Sequence, residues 1–448
     1  MLFEDRIFYH MYPLGLCGAP ESNDSGPLFQ KEEGAVFAVG NEWIDHMKDL
    51  GFSGVYIGPL FESSTHGYDT RDYRRVDRRL GNNEGFRKWV AACHEQGIKV
   101  VVDGVFNHTG REFPAFQNLQ EQKWDSWGKD WYCQVDFNGT SPLGDPFSYE
   151  SWRGYPELPR LNLKNPAVVD ALMDVVRFWV SAFDIDGVRL DCADVLDFDY
   201  MRRLRRETEQ MKPEFWLMGE VIHGDYSRWV NPEMLHSVTN YELHKAIYSA
   251  HNSHNYFEMA HTLRRLFGEY GLCKGAVLYN FADNHDVDRI GSKLACKADL
   301  LPVYVFLYTI HGIPSVYYGS EFGMEGRRTG DSDRPLRPQI KLSEMEDGEV
   351  TRLLRRLAHI RQSQKALIYG NHVELLLTNR QYMYARCWQN EICVTALNND
   401  DSVSEMDIGL PGDGKLLKDL ISGGEIPVEN GRVHLKLQGH DGRIYQVK

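Results

Sequence analysis

The sequence predicts an α/β chain: a (β/α)8 TIM barrel with a small domain inserted after its third strand and an antiparallel β-sandwich at its C-terminal end. Three observations lead there. Apolar, largely β-branched stretches beginning near residues 7, 55, 100, 187, 215, 237, 276 and 315 alternate with helical patterns, the rhythm of a parallel barrel. That rhythm breaks once, from Thr109 to about Pro159, where tryptophans and tyrosines stand among Gly, Pro and Asp without a sustained period. From about Asn371 it gives way to short alternating runs split by Asn, Asp and Gly, as in a sandwich.

The elements follow in order. Ile7 to Met11 is the first strand, and Gly15 to Gly34 a loop rich in Gly, Pro and acidic residues. Trp43, Ile44, Met47 and Leu50 recur at helical spacing, and Val55 to Leu60 is the second strand. Asn83 is expected to cap a helix with Phe86, Trp89, Val90 and Cys93 on one face and Gly97 at its end. Val100 to Phe106 is the third strand. The inserted segment, 109–159, is too long to lack structure of its own, and its tryptophans are read as its core. Asn165 with Pro166 opens a helix carrying Val168, Val169, Leu172, Val176, Trp179, Val180 and Phe183 on one stripe. Strands 187–191, 215–220, 237–243, 276–281 and 315–319 complete the barrel, with helices near 199–211, 256–267 and 301–310 between them. The domains are thus 1–108 with 160–370, 109–159, and 371–448.

Composition narrows the function. A length of 448 residues at 42% hydrophobic supports a large core. A net charge of −14 argues against nucleic acid or an anionic membrane as partner. The first residues show no basic segment followed by an apolar stretch, and no run of 18 apolar residues occurs, so a cytoplasmic protein is expected. Eight cysteines without a CxxC pair point to reduced, buried thiols rather than zinc, and Cys192 is read as a small packing residue.

Chemistry collects at the strand ends. Asp103, Asp191, Glu220 and Asp286 each follow an apolar strand, and a barrel brings the carboxyl ends of its strands to one face. Several carboxylates in one aromatic cleft suit glycoside hydrolysis, where one carboxylate attacks the sugar carbon and a protonated partner serves the leaving oxygen. Arg189 lies two residues before Asp191, on the same strand face, where a guanidinium would hold that carboxylate ionised. A structural role for Asp103 weighs evenly against substrate contact.

Asp103-Gly-Val-Phe-Asn-His108, Gly187-Val-Arg-Leu-Asp191, Gly219-Glu220-Val221 and Phe281-Ala-Asp-Asn-His-Asp286, in that order, resemble the four conserved regions of the α-amylase family, glycoside hydrolase family 13. Leu158-Pro-Arg-Leu-Asn162 is similar to the fifth region of its neopullulanase and cyclomaltodextrinase branch, and His66-Gly-Tyr-Asp69 to the loop bearing a stacking tyrosine. The resemblance implies Asp191 as nucleophile, Glu220 as general acid and base, and Asp286 as transition-state stabiliser. Tyr68, His108, Arg189, His285 and Asp103 would bind the sugar or order the nucleophile. It implies a retaining hydrolase of α-glucosidic, mainly α-1,4, bonds in maltooligosaccharides. A transglycosylase or sugar isomerase on the same scaffold is the alternative, and a non-catalytic binding protein a more distant one. No organic cofactor is implied. Cys192-Ala193-Asp194 replaces the Lys-His pair of typical amylases, so neither calcium nor any other metal is predicted. The branch's N-terminal domain would have no counterpart before a first strand near residue 7, which leaves oligomeric state open. Arg334 is the candidate for a further arginine after the eighth strand.

Overall fold

The computed structural model of the protein describes residues 3–23, 34–330 and 332–448. Its strands are β1 (Phe8–Met11), β2 (Gly54–Ile57), β3 (Phe61–Ser63), β4 (Thr70–Val76), β5 (Lys99–Gly104), β6 (Gly187–Leu190), β7 (Trp216–Gly219), β8 (Ser237–Val238), β9 (Tyr279–Phe281) and β10 (Ile313–Tyr317). Eight of them pair in parallel in the order β8-β7-β6-β5-β2-β1-β10-β9. A parallel bridge from Thr239 to Tyr279 and a hydrogen bond from the Asn240 N–H to the Tyr279 carbonyl at 2.9 Å close the ring.

The continuous apolar runs are explained by burial on both faces of each strand. Phe8, Tyr56, Val101, Trp216, Met218, Tyr279, Phe281 and Ile313 pack inside the barrel. Their neighbours Tyr9, Val55, Val100, Val102 and Leu217 pack outward against the helices. Phe3 lies flat on Trp216, ring centres 5.1 Å apart, at the amino end. The helix Pro166–Phe183 starts as expected, with the Asn165 side chain accepting the Ala167 N–H at 3.0 Å. Its Trp179 stacks on Phe61 at 4.2 Å and donates to the Tyr73 carbonyl; truncation to alanine would cost about 3–5 kcal/mol.

Several expectations need correction. The helix Asn83–Glu95 is capped by Asn82, whose side chain accepts the Gly85 N–H at 2.8 Å. Asn83 instead accepts the Val76 N–H and donates to the Arg74 carbonyl, which ties the helix to an unforeseen antiparallel hairpin, β3 with β4. The sixth strand is two residues long, because Asn240 caps a helix, Tyr241–Asn252, by accepting the Leu243 N–H. The seventh begins at Tyr279 rather than Ala276, and the eighth runs Ile313–Tyr317. The loop expected over Gly15 to Gly34 begins with a helical turn, Pro13–Leu16, and its residues 24–33 lie outside the described residues.

Between β5 and β6 the chain leaves the barrel through a bridge of His108 to Arg160. The excursion holds one helix, Pro114–Gln122, and short turns around buried Phe116, Tyr132 and Phe147. Trp124 and Trp127 are not in that core; they are 64% and 56% exposed.

The last strands are β11 (Asn371–Leu377), β12 (Gln381–Trp388), β13 (Glu391–Asn398), β14 (Ser404–Gly409), β15 (Leu416–Asp419), β16 (Glu425–Pro427), β17 (Arg432–Leu437) and β18 (Asp441–Val447). A six-stranded sheet and the pair β14-β17 enclose Met383, Val394, Leu417, Leu435 and Tyr445. This sandwich seats on the barrel helix Leu300–Thr309, where the Thr309 and Tyr384 hydroxyls are 2.6 Å apart. All eight cysteines are free of disulfides.

Candidate active site

A cleft of about 2150 Å³ opens at the carboxyl ends of the barrel strands, and Asp191, Glu220 and Asp286 all line it. Asp191 follows β6 and Glu220 follows β7. Their backbone N–H groups continue the strand ladder, Asp191 to the Gly104 carbonyl at 3.1 Å and Glu220 to Leu190 at 2.9 Å. Two strand ends side by side thereby set two carboxylates side by side: an oxygen of each lies within 4.8 Å of the other. Asp286 comes from the loop after β9, its N–H held by the Asn284 side chain at 2.9 Å.

Arg189 organises the floor. Its guanidinium reaches Asp103 at 2.8 Å, Asp191 at 2.7 Å and Glu220 at 2.9 Å, and Asp103 also accepts the Tyr56 hydroxyl at 2.8 Å. A Cβ on Gly58 would fall 2.4 Å from that of Asp103, so only glycine leaves room for this aspartate. Of the residues expected to bind the sugar or order the nucleophile, Asp103, Arg189 and His285 form the layer beneath the cleft wall, while Tyr68 and His108 are on the wall itself.

One cation among three carboxylates does not secure them all. Burial raises the Asp191 carboxyl well above its ordinary range; Arg189 opposes this, and the Glu220 and Asp103 charges reinforce it. Arg189 does favour the ionised form of Asp191, as its place on the same strand face suggests, but burial and the two neighbouring acids oppose it. Asp286 differs: against the cost of burial, His285 and Arg337 hold it well below the usual carboxylate range. Its oxygens lie 3.0 Å from His285 Nε2 and 2.9 Å from Arg337. Burial drops His108 to about 3, leaving a neutral ring whose buried Nε2 has no partner among the described residues. The Tyr68 hydroxyl bonds to His285 Nε2, the two rings lying nearly parallel.

The arginine beyond the eighth strand is Arg337. Arg334 stands on the rim of the cleft, 79% exposed at its side chain and paired with Glu21, and the turn Arg334–Leu336 then brings Arg337, 12% exposed, against Asp286. There Arg337 donates to the His285 carbonyl at 3.0 Å and lies over the Tyr12 ring. Other wall residues were not expected there, and Trp152, read from sequence as core of the inserted segment, is one of them. Trp152 and Tyr155 stack at 5.6 Å on the side of the excursion, with Trp152 next to His108. Tyr241, whose hydroxyl accepts from Asn284 at 3.1 Å, and the half-buried Asp194 are also on the wall. A smaller cavity, about 490 Å³ and lined by Phe3, Trp216 and Ile313 among others, lies at the opposite end of the barrel.

Two groups of three possible metal ligands come together among the described residues, Asp191 with Cys192 and Glu220, and Cys296 with Asp299 and His440. Each includes a thiol, and neither offers the six to eight oxygens that calcium takes. No helix among the described residues is long and apolar enough to cross a membrane.

An eight-stranded parallel barrel with paired carboxylates at its carboxyl end and a third acid opposite defines a glycosidase-type site. Residues 41–369 match the family model described as "Alpha amylase, catalytic domain", and the chain belongs to the α-amylase family. It is 30% identical to a cyclomaltodextrinase from Geobacillus thermopakistaniensis over 99% of its own length and 77% of that protein's. A maltogenic α-amylase from Bacillus acidopullulyticus is 28% identical with the same coverage. The solved structure of a cyclomaltodextrinase superimposes with a TM-score of 0.85 at 25% identity, spanning all of this chain and 78% of the other.

Proposed function

We propose that the chain is a retaining hydrolase of α-glucans that cleaves mainly α-1,4 bonds in maltooligosaccharides in the cytoplasm. The observation that supports the retaining part of this reading is that Asp191 and Glu220 stand side by side, one oxygen of each within 4.8 Å of the other and both bonded to the Arg189 guanidinium. A retaining pair stands about 5–5.5 Å apart and an inverting pair about 6.5–9.5 Å, since the latter must admit a water.

On this reading Asp191 is the nucleophile and Glu220 the general acid and base. Asp191 attacks the anomeric carbon as the glycosidic bond breaks and Glu220 gives its proton to the leaving oxygen, forming a glycosyl ester on Asp191. Glu220, now a carboxylate, takes a proton from water as that water attacks the same carbon, and Asp191 departs. Asp286, kept ionised by His285 and Arg337, stabilises positive charge growing on the sugar ring. Tyr68 offers a stacking face, and His108 Nε2, whose ring partner Nδ1 accepts from Asn107, a hydrogen-bond donor for a hydroxyl. The relatives' names support an α-glucan as substrate.

Product analysis on maltotriose to maltoheptaose, pullulan and cyclodextrin, with Asp191→Asn alongside, tests this. Shorter sugars from the unaltered chain alone support hydrolysis. Longer sugars would replace it with transglycosylation, and equal inertness of both proteins would leave a binding module. Fractionation of the producing cells tests the location.

A further inference from the structure

Cys192, which the sequence suggests is mere packing, touches both members of the carboxylate pair. Its thiol is 3.1 Å from Asp191 Oδ2, the oxygen that Arg189 does not hold, and its backbone N–H donates to Glu220 Oε2 at 3.0 Å. The backbone at this residue is left-handed, φ 49° and ψ 40°, a conformation uncommon outside glycine, asparagine and aspartate. The residue is 7% exposed and lines the cleft. Burial, then the charges of Asp191 and Glu220, push the thiol well above its usual range, so it carries its proton throughout the working pH range and is a donor to Asp191, not a nucleophile.

On the two-carboxylate reading given above, we propose that the Cys192 thiol is a positioning residue for the nucleophile: its S–H fixes the second oxygen of Asp191 and favours the ionised form. The groups facing Asp191 from every side are then accounted for. Arg189 approaches from the same strand, Asp103 from β5 and Glu220 from β7. The Tyr56 and Tyr73 hydroxyls are both kept protonated by burial. Of these, only Arg189 and the thiol favour the carboxylate, and the thiol is the one on the cleft side.

The test compares Cys192→Ala and Cys192→Ser with the unaltered full-length chain, measuring kcat/KM on maltotriose from pH 4 to 9 and the melting temperature of each. An S–H bond is weak, so removing it should raise the acid limb of the profile by about half a pH unit, equivalent to about 0.7 kcal/mol. At the optimum, kcat should fall about threefold. Serine, which restores a donor, should return the limb to its original position or below. An acid limb that is the same in all three proteins would overturn the proposal, as would alanine and serine variants displaced equally, since that is the mark of packing alone. If Asp191→Asn abolishes activity while neither cysteine variant moves the limb, the glycosidase reading survives and the thiol's role does not; an inactive unaltered chain removes both.

Discussion

Replacing Arg189 by methionine should cost this protein a large part of its stability, and the loss should depend on pH. The guanidinium is 3% exposed and bonds three carboxylates, those of Asp103, Asp191 and Glu220, at 2.7–2.9 Å. Methionine fills most of the volume but removes the only cation among the described residues in direct contact with them. Stripping one partner from a buried ion pair costs about 3–5 kcal/mol, because the remaining charge is left uncompensated. The variant can relieve part of that penalty by binding protons, and a group held neutral in the fold is stabilised as pH falls. The difference between Arg189→Met and the unaltered chain should therefore approach the full figure at pH 8 and shrink toward pH 5. Urea unfolding followed by tryptophan fluorescence at the two pH values measures it, with Arg189→Lys, which keeps the charge but not the planar fork, expected between. A loss below about 1 kcal/mol, or one that is the same at both pH values, would refute the view that Arg189 neutralises a charged floor.

Three further outcomes follow from the same geometry. Glu220→Gln should reduce kcat by about 10²–10⁴ while calorimetry shows oligosaccharide binding retained. Arg337→Met takes a charged donor from Asp286 and should lower kcat/KM about 10- to 100-fold, whereas Arg334→Ala, on the exposed side of the same turn, should leave it within twofold. His440 stands between Asp299 of the barrel and Asp401 of the sandwich, at 2.8 and 2.9 Å. Although burial opposes it, these two carboxylates raise His440 above 6.5. Its contribution is then complete below that value and is lost as pH rises through the raised one, so the melting temperatures of His440→Gln and the unaltered chain should differ most at pH 6 and converge by pH 9.

Much of the barrel is readable in the sequence because its strands are buried on both faces. Val100, Val101 and Val102 announce such a strand without any knowledge of neighbours, and Asn165-Pro166 states where a helix starts. The site is readable for a topological reason: Asp191, Glu220 and Asp286 span 95 residues, yet a closed parallel barrel leaves strand ends one place to meet. What escapes is set by tertiary contact. The β3-β4 hairpin is hidden by Arg71, Asp72, Arg74 and Arg75, tolerated because only one face is covered. β8 is too short for any period, and ring closure rather than propensity makes it a strand. Arg337 cannot be told from Arg334 without the intervening turn, and nothing about a cysteine in sequence says that its thiol will meet a carboxylate. The helix Glu349–Ser363, not among the elements expected from sequence, has Val350, Leu353, Leu354 and Leu357 at helical spacing.

The central claim, that Asp191 forms a covalent bond to sugar with Glu220 assisting, is reached most directly by trapping. Incubation with 5-fluoro-α-glucosyl fluoride, followed by intact-mass measurement and peptide mapping, should show one glycosyl group per chain on the peptide containing Asp191. Asp191→Asn should acquire none. A chain that hydrolyses maltooligosaccharides yet gives no adduct, with β-configured product seen first by proton NMR, would contradict the account and assign the two carboxylates to an inverting reaction.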